Sequence, residues 1–592
     1  MEYINKCFNL QKQNERKIKD KENKIDNFNY NKFNLRETNI LFDQIYNYKE
    51  NTLNLYNDLE IFQNYDGSKK CVFNILDKTN LKIGNYFLKT MLNEPYNNFK
   101  ELKTHNNILK KLDEKYNKIN ELLLSIKEAE NDILWLLNRN DQNDESTELY
   151  ETLYFQTSFL KFMNDNELFL NIYYIYVLYI LPFMNIIMPV GAYIIPFILL
   201  KLFNIPVDHS IYGEVFKSVL NIDQIIAPGN VSSMMKYAGV FFVILSYFQT
   251  TYFCYKDSCH IYKVSNIIHE KLNNIYKFVF ASIELNKITN RIFNDNILQN
   301  PINDLDDELF TVEPFIFSNK GKILRVFKLL TGQRYIFNNI ILNTGKIDAY
   351  ISILTLKKKY NLCYPKFINS EKPELFIKDL YHPVVSNPIK NTLKIKNKNK
   401  HVLITGANAC GKSTFIKSVS LNILLSQTIG VCFANKFSHT PFAYFNTYLN
   451  LADCLGKESL FQAEMNRMQT NLKIVKKHKL PVFLAIDEIF SSTNPDEATA
   501  GGYAICKAFA KNKNLITLIT THFRYLTNLE KEKCNFINYK FEGEILNNNN
   551  IKYNYKLLKG FSQQSFALKL LKNNGYDKSI IECAEEIIEK IK

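Results

Sequence analysis

No Cys-x-x-Cys pair occurs in this chain of 592 residues, although it holds 11 cysteines. The tightest group, Cys254, Cys259 and His260, lacks the second half of a zinc site, so free thiols are the plainer reading. An odd, scattered set of thiols fits an intracellular, reducing compartment. No apolar run lies near Met1, and the first fifty residues are polar and rich in Lys and Asn, so no secretory signal is expected. No internal repeat is visible. Charge is missing altogether from two stretches, 168–200 and 237–255. The first is longer than the ~20 residues that cross a bilayer as a helix, and the second is close to one span. Pro182, Pro189, Gly191 and Pro196 interrupt the first, as a kink or a hairpin-like break would. Lys236 and Lys256 flank the second, as interfacial lysines do. A deeply buried soluble core has similar composition, and the many Tyr with few Gly or Ala keep that alternative open.

What is present is enough for several domains, each with its own core. The net charge of +15 is compatible with nucleic acid or an anionic membrane surface. Residues 1–44 read as a polar tail in which Lys17, Lys19, Lys21 and Lys24 form a solvated face. From 45 to 360 the pattern is mainly helical. Leu76, Ile83, Phe87, Leu88, Met91 and Leu92 recur at helical spacing, and 102–137 continues the pattern. From 361 to 592 short apolar runs at 402–405, 482–486 and 515–520 alternate with helical stretches. That alternation predicts an α/β domain with a largely parallel sheet.

The segment Gly406-Ala407-Asn408-Ala409-Cys410-Gly411-Lys412-Ser413-Thr414 matches G-x-x-x-x-G-K-[ST] between an apolar strand and a helix-forming run. Such a loop turns backbone N–H groups and a helix N-terminus toward phosphate oxygens. Lys412 would neutralise the terminal phosphates of ATP, and the Ser413 hydroxyl would ligate Mg²⁺. A second apolar run ends in Asp487 and Glu488. Asp487 could enter the Mg²⁺ shell, and Glu488 could orient or deprotonate an attacking water. A third ends in Thr521 and His522, where the imidazole could hydrogen-bond a terminal phosphate. An unrelated loop histidine is the alternative.

These segments resemble those of the MutS family of DNA mismatch-repair ATPases. The loop has that family's Asn at Asn408 and Ser-Thr at its end. Asp487 to Thr493 resembles its Walker B segment, and Thr521 to Thr527 its Thr-His segment. Ser459 to Met465 is similar to the signature stretch that faces the partner subunit's nucleotide. Tyr381-His382-Pro383 is similar to a His-Pro segment near the nucleotide, and 559–592 to a dimer-forming helical tail. The matches run in family order over about two hundred residues. A weaker resemblance around 72–95 points to a helical core or lever region. The resemblance implies a multidomain protein with a helical lever region and an ABC-type P-loop ATPase domain. It also implies a homodimer with ATP and Mg²⁺ as cofactors, and DNA as partner. It assigns Lys412, Glu488 and His522 to catalysis and Ser459 to a site shared between subunits. His382 and the loop would bind nucleotide, and Ser413 and Asp487 the metal.

The departures bear on function. Only a short polar tail precedes the lever region, with no place for a mismatch-reading wedge. The uncharged segments stand where residues of a DNA-gripping clamp would be. The family's glycine after the Walker B carboxylates is Ser492 here. Three readings follow. One is a DNA-binding MutS-like ATPase in repair or recombination. The alternative is a membrane-tethered MutS-like ATPase without mismatch recognition, acting on another partner. The third is a silent scaffold that binds ATP as structural glue, against which Lys412, Asp487 and Glu488 argue.

Overall fold

A computed structural model describes residues 53–62, 71–137, 153–203, 205–206, 208–220, 233–293, 320–332, 334–396, 399–449, 460–532, 534–545, 551–564, 571 and 575–591. The expected polar tail at 1–44 and the signature residue Ser459 lie outside them, as does part of the 559–592 tail.

The N-terminal half is helical. It comprises α1 (Leu53–Asp58), α2 (Val72–Leu76), α3 (Lys82–Asn93), α4 (Phe99–Glu114), α5 (Tyr116–Ser125) and α6 (Glu130–Leu137). There follow α7 (Glu167–Ile175), a π-helical turn (Tyr176–Ile180), α8 (Leu181–Leu202) and α9 (His209–Leu220). The long α10 (Ser233–Phe293), α11 (Lys320–Gly332) and α12 (Arg334–Tyr360) complete it. The apolar stripe read from the sequence closes the α3–α12 contact, with Ile83, Leu88 and Leu92 buried.

The start of α3 has no side-chain cap of its own. Two distant carboxylates supply the acceptors that a helix N-terminus needs. Asp348 of α12 accepts from the Asn80 N–H (3.1 Å) and the Leu81 N–H (2.9 Å). Glu130 of α6 accepts from the N–H groups of Lys82 and Ile83, both at 2.9 Å. The approach is so close that a Cβ on Gly84 would sit 2.0 Å from Asp348 Oδ2. Glycine is therefore required there by packing, not by backbone angle.

The C-terminal half is α/β. Its main sheet is built from β4 (His401–Thr405), β6 (Tyr444–Tyr448), β7 (Val482–Asp487), β8 (Leu515–Thr520), β9 (Phe536–Lys540) and β12 (Leu558–Lys559). The strand order is β12-β9-β4-β8-β7-β6, parallel from β9 to β6, with β12 antiparallel at the edge. The three apolar runs singled out in the sequence are β4, β7 and β8. They sit side by side in the middle of this sheet, buried on both faces as a parallel sheet requires. Helices α13 (Lys412–Thr428), α14 (Leu460–Lys477) and α15 (Pro495–Ala510) cover it. Val482, Leu484 and Ile486 pack with Met468 and Val475 of α14 and with Cys506 and Phe509 of α15. The alternate residues Phe483 and Ala485 are equally buried on the face that α13 meets. A smaller sheet has the order β1-β5-β2-β3. Its strands are β1 (Lys366–Phe367), β2 (Leu375–Leu380), β3 (Asn391–Ile395) and β5 (Lys436–His439). The hairpin β10 (Gly543–Ile545) and β11 (Ile551–Tyr553) and the terminal α16 (Lys578–Ile591) complete the half.

The two halves are joined by polar contacts. Asp58 at the end of α1 accepts from Thr447 Oγ1 at 2.7 Å and the Leu449 N–H at 3.1 Å, and it pairs with Arg467 of α14. Burial pushes the Asp58 carboxyl up, and Arg467 opposes that push. Lys417 of α13 pairs with Glu60 at 2.9 Å.

Burial raises Asp348 to about 7, against the lowering effect of the Leu81 and Asn80 bonds, while neighbouring Glu130 adds to the rise. A raised carboxyl stabilises the fold below its unfolded value near 3.8, and that contribution is lost as pH rises through about 7. Relative to Asp348→Asn, the wild type is therefore expected to lose stability between pH 4 and 7, by up to about 4 kcal/mol. Urea unfolding of both proteins across that range measures the difference, and parallel curves would refute it.

Candidate functional site

The site lies where three neighbouring parallel strands end on one edge of the sheet, the usual place for ligands in open α/β sheets. β4 runs into the loop 406–411, which leads directly into α13. Gly411 takes φ +99° at the N-cap of that helix, a left-handed conformation that L side chains rarely adopt. Ala409 has φ +63°. β7 ends at Asp487 and passes Glu488 with φ +54°, a strained position for a residue with a side chain. β8 ends at Thr520, so Thr521 and His522 follow on the same edge.

Lys412, Glu488 and His522 meet there. Lys412 Nζ lies 3.0 Å from Gly406 O, 3.1 Å from Ala407 O and 3.3 Å from His522 Nε2. His522 Nε2 is 2.9 Å from Glu488 Oε1. One ring nitrogen cannot both donate to Glu488 and accept from an ammonium. The shorter contact assigns its proton to Glu488, and Lys412 bonds to the two carbonyls. The hydrogen bond from His522 holds the Glu488 carboxyl below its ordinary value against an opposing push from burial, and the charges of His522 and Lys412 add to the lowering.

A cleft of about 760 Å³ opens beside these groups. That volume is within the range of small-ligand sites. Asn408, Ala409, Gly411, Lys412, Ser413 and Thr414 line it, with His382 and Glu488. Burial, with the charge of Lys417 second, lowers His382 to about 4, which leaves a neutral imidazole at neutral pH. Cys410 departs from its neighbours. Its side chain is 1% exposed, and burial raises the thiol, so it packs beneath the loop. The structure brings Asp487 beside Glu488 but outside the residues lining the cleft.

Tyr381, quoted with His382 in the His-Pro segment, also lines the cleft. Several other residues here carried no signal in the sequence. Pro388, Ile389, Phe541 and Tyr555 line the cleft. Asn391 Nδ2 donates to Tyr555 O at 3.0 Å, and its Oδ1 accepts from the Leu557 N–H at 2.8 Å. Thr520 is the most informative omission. Its hydroxyl donates to Asp487 Oδ1 and accepts from the Glu488 N–H at 3.1 Å. One side chain thus fixes both acidic residues. Ser491 Oγ donates to Glu464 Oε1 of α14 at 3.1 Å, which ties the segment after β7 to the helix that follows Ser459.

A parallel sheet whose central strand feeds a glycine-bearing loop and a buried helix, with paired carboxylates on the next strand but one, defines an α/β domain with its site at the strand ends. Residues 402–592 match the family model for MutS domain V. The chain is 30% identical over 308 residues to the DNA mismatch repair protein MutS of Persephonella marina, which covers 49% of this chain and 34% of that protein. It is 31% identical over 255 residues to the MutS of Thermotoga maritima, covering 42% and 31%. With the MutS of Finegoldia magna it shares 26% over 352 residues, covering 57% and 40%. The chain thus spans between about a third and two fifths of the length of these relatives.

The Thr520 hydroxyl joins Asp487 and Glu488 through two hydrogen bonds. Thr520→Val keeps the shape and removes both hydrogen bonds. It is expected to weaken divalent-cation binding in the presence of ADP by about 10–100-fold, the usual cost of losing an orienting partner. A Mn²⁺ titration followed by electron paramagnetic resonance measures it, and unchanged affinity would refute the role.

Proposed function

We propose that the chain is a MutS-type, Mg²⁺-dependent ATPase that works as a homodimer and couples hydrolysis to the opening and closing of a clamp on DNA. The observation that carries the reading is the convergence of Lys412, Glu488 and His522 at the ends of three adjacent strands. It is supported by the MutS domain V match.

In this reading 406–414 is the phosphate-binding loop. Its N–H groups and the α13 N-terminus hold the phosphates, and Lys412 exchanges its loop carbonyls for phosphate oxygens. Glu488, kept ionised by its hydrogen bond from His522, orients or deprotonates the attacking water. His522 senses the terminal phosphate through the same imidazole. His382 approaches the nucleotide as a neutral group. The fit to a divalent cation rests on hard oxygen donors: the Ser413 hydroxyl at the cleft and the Asp487 carboxylate held by Thr520. When bound, Mg²⁺ supplies positive charge that offsets charge on the transferring phosphoryl group.

The domain division follows: a polar tail at 1–44, a lever region at 45–360 and an ATPase domain at 361–592 whose tail, 559–592, forms dimers. DNA is the partner supported by the net charge and by the names of the relatives, which are DNA mismatch repair proteins. Repair or recombination is the process this suggests. The scattered thiols support an intracellular, reducing location.

Two substitutions separate binding from chemistry. Glu488→Ala is expected to leave ATP affinity near wild type and to cut turnover about 10²–10⁴-fold. Lys412→Ala is expected to weaken ATP binding itself. Nucleotide titration and steady-state phosphate release check both, and wild-type turnover in Glu488→Ala would overturn the assignment.

The shared site has its own test. Ser459→Ala should spare ATP binding and lower hydrolysis. Mixed with Lys412→Ala chains, it should regain activity above either mutant alone, because one competent site per heterodimer then sees a normal signature. No recovery, in a mixture shown to exchange subunits, would count against a homodimeric site.

A further inference from the structure

The two uncharged segments lie together on the helical half, outside anything the nucleotide site uses. Residues 167–202 form one nearly continuous helical run through α7, the π-turn and α8. The first part of that run is anchored: α7 packs on α11, with Leu170 and Tyr174 buried. Beyond it, α8 runs beside the first third of α10. Their outer faces are apolar and exposed. Phe183, Met188 and Ile195 on α8 are 61%, 67% and 57% exposed, and Phe241, Val243 and Phe248 on α10 are 62%, 61% and 65% exposed. A contiguous surface of this kind is far beyond what soluble monomers leave in water. Glu167–Gly191 alone is 25 residues long with mean hydropathy 1.6 and 11% burial in its most apolar window.

Three further observations say what covers it. The first is register. Tyr247 Oη reaches Asn185 O and Ile186 O at 2.9 and 2.8 Å, and Ser258 Oγ reaches Val177 O at 3.0 Å. The helices are therefore antiparallel, and 237–255 lies opposite about 180–200. At 1.5 Å per residue both bands are roughly 30 Å long, the thickness of a bilayer's hydrocarbon layer.

The second is how the proline breaks are closed. Pro189 removes the N–H that would bond to Asn185 O, and the single hydroxyl proton of Tyr247 is shared between that carbonyl and Ile186 O. In the π-turn the partner of Val177 O would be residue 182, which is proline, and the Ser258 hydroxyl is shared between that carbonyl and Cys254 O, at 2.9 Å. Protein hydroxyls thus approach two of the carbonyls that proline leaves without an N–H. That is the condition for broken helices in lipid.

The third is the distribution of polar groups. Aromatic polar residues gather at both ends of the band. Tyr176, Tyr179, Tyr252 and Tyr255 lie at the end nearer the helical core. At the far end Tyr193 packs on Tyr212, whose hydroxyl donates to Tyr193 O at 2.8 Å. Such belts mark the two interfaces of a membrane. Between 201 and 236 the charges balance, with Lys201, Lys217 and Lys236 against Asp208, Glu214 and Asp223.

We infer that α8 and the first third of α10 form a helical hairpin that crosses a lipid bilayer. The ATPase domain and the helices packed on it lie on one face, and α9 (His209–Leu220) lies toward the other. The inference is independent of the nucleotide reading, and its test uses no ATPase readout. In the full chain, membranes washed with alkaline carbonate are expected to retain the protein, which should float with phospholipid vesicles on a density gradient. Recovery from the detergent-free soluble fraction as a monodisperse monomer, dimer or larger oligomer would overturn the inference, because protein would then cover the apolar faces. Sidedness is tested with Asp208→Cys in sealed vesicles, using a membrane-impermeant maleimide and peptide mass mapping. The introduced thiol and the native, exposed Cys583 should be labelled from opposite faces, and both after permeabilisation. Labelling of both from one face would overturn the crossing.

Discussion

The structure depends on the burial of one helix. α13 begins at the end of the glycine-bearing loop and is buried from Ser418 to Thr428. It therefore has no solvated face, and its polar side chains must find partners inside. Ser418, Ser420 and Thr428 bond to carbonyls one turn back. Asn422 donates to Ser418 O and accepts from the Phe433 N–H, and Ser426 lies 2.8 Å from His439 Nε2. At the far end Gln427 closes the contact between the halves. Its Nε2 donates to Tyr96 O and Phe442 O, its Oε1 accepts from the Phe442 N–H, and its own carbonyl accepts from the Tyr96 N–H. A shift of the loop at one end of this helix has no slack to absorb it before Tyr96 at the other. Packed interiors transmit such shifts because they are dense.

The same rigidity explains the start of α3. Asp348 and Glu130 cap four N–H groups from two other helices, so α3, α6 and α12 move as one body. α3 also touches α13. Asp58 with Arg467 makes a second link, from α1 to β6 and α14. The helical half is thus bonded both to the helix that follows the loop and to the helix that follows Ser459. Removing one partner of a buried pair leaves an uncompensated charge at a cost of about 3–5 kcal/mol, so these joints break together with the fold rather than hinge.

How much was legible in the sequence followed the physics of each signal. β4, β7 and β8 were readable because strands buried on both faces are unbroken apolar runs. The loop was readable because its glycine and lysine spacing is fixed by backbone geometry. The α3 stripe was readable from its period. Thr520, Tyr555 and Asn391 were not, because they reach the site through pairings between distant segments. A threonine inside an apolar strand looks like ordinary β-propensity until its neighbour strand is known. Cys410 sits inside the loop pattern and yet packs away from the cleft, a distinction spacing alone cannot make. The Asp348 and Glu130 caps span hundreds and tens of residues respectively, and nothing local marks them.

The uncharged segments show where composition stops and geometry begins. Composition alone favoured a membrane span over a buried core for 168–200 and left both open. The structure separates the two properties that composition merges. The part before the π-turn turns Leu170 and Tyr174 onto α11 and leaves Leu168, Phe169, Ile172 and Ile175 exposed, whereas the part after it has no such buried stripe. One apolar run therefore has a single buried stripe at one end and is outer surface elsewhere. The prolines fall on the outer part, where a soluble helix would lose backbone bonds to water at little cost. Here the hydroxyls of Tyr247 and Ser258 reach those carbonyls, each shared with a second one, Ile186 O and Cys254 O. A chain that spends two side chains of its longest helix on closing proline breaks is built for surroundings that offer no hydrogen bonds of their own. That commitment, made by residues 247 and 258 toward a segment some sixty to eighty positions earlier, is a property of the fold and not of hydropathy.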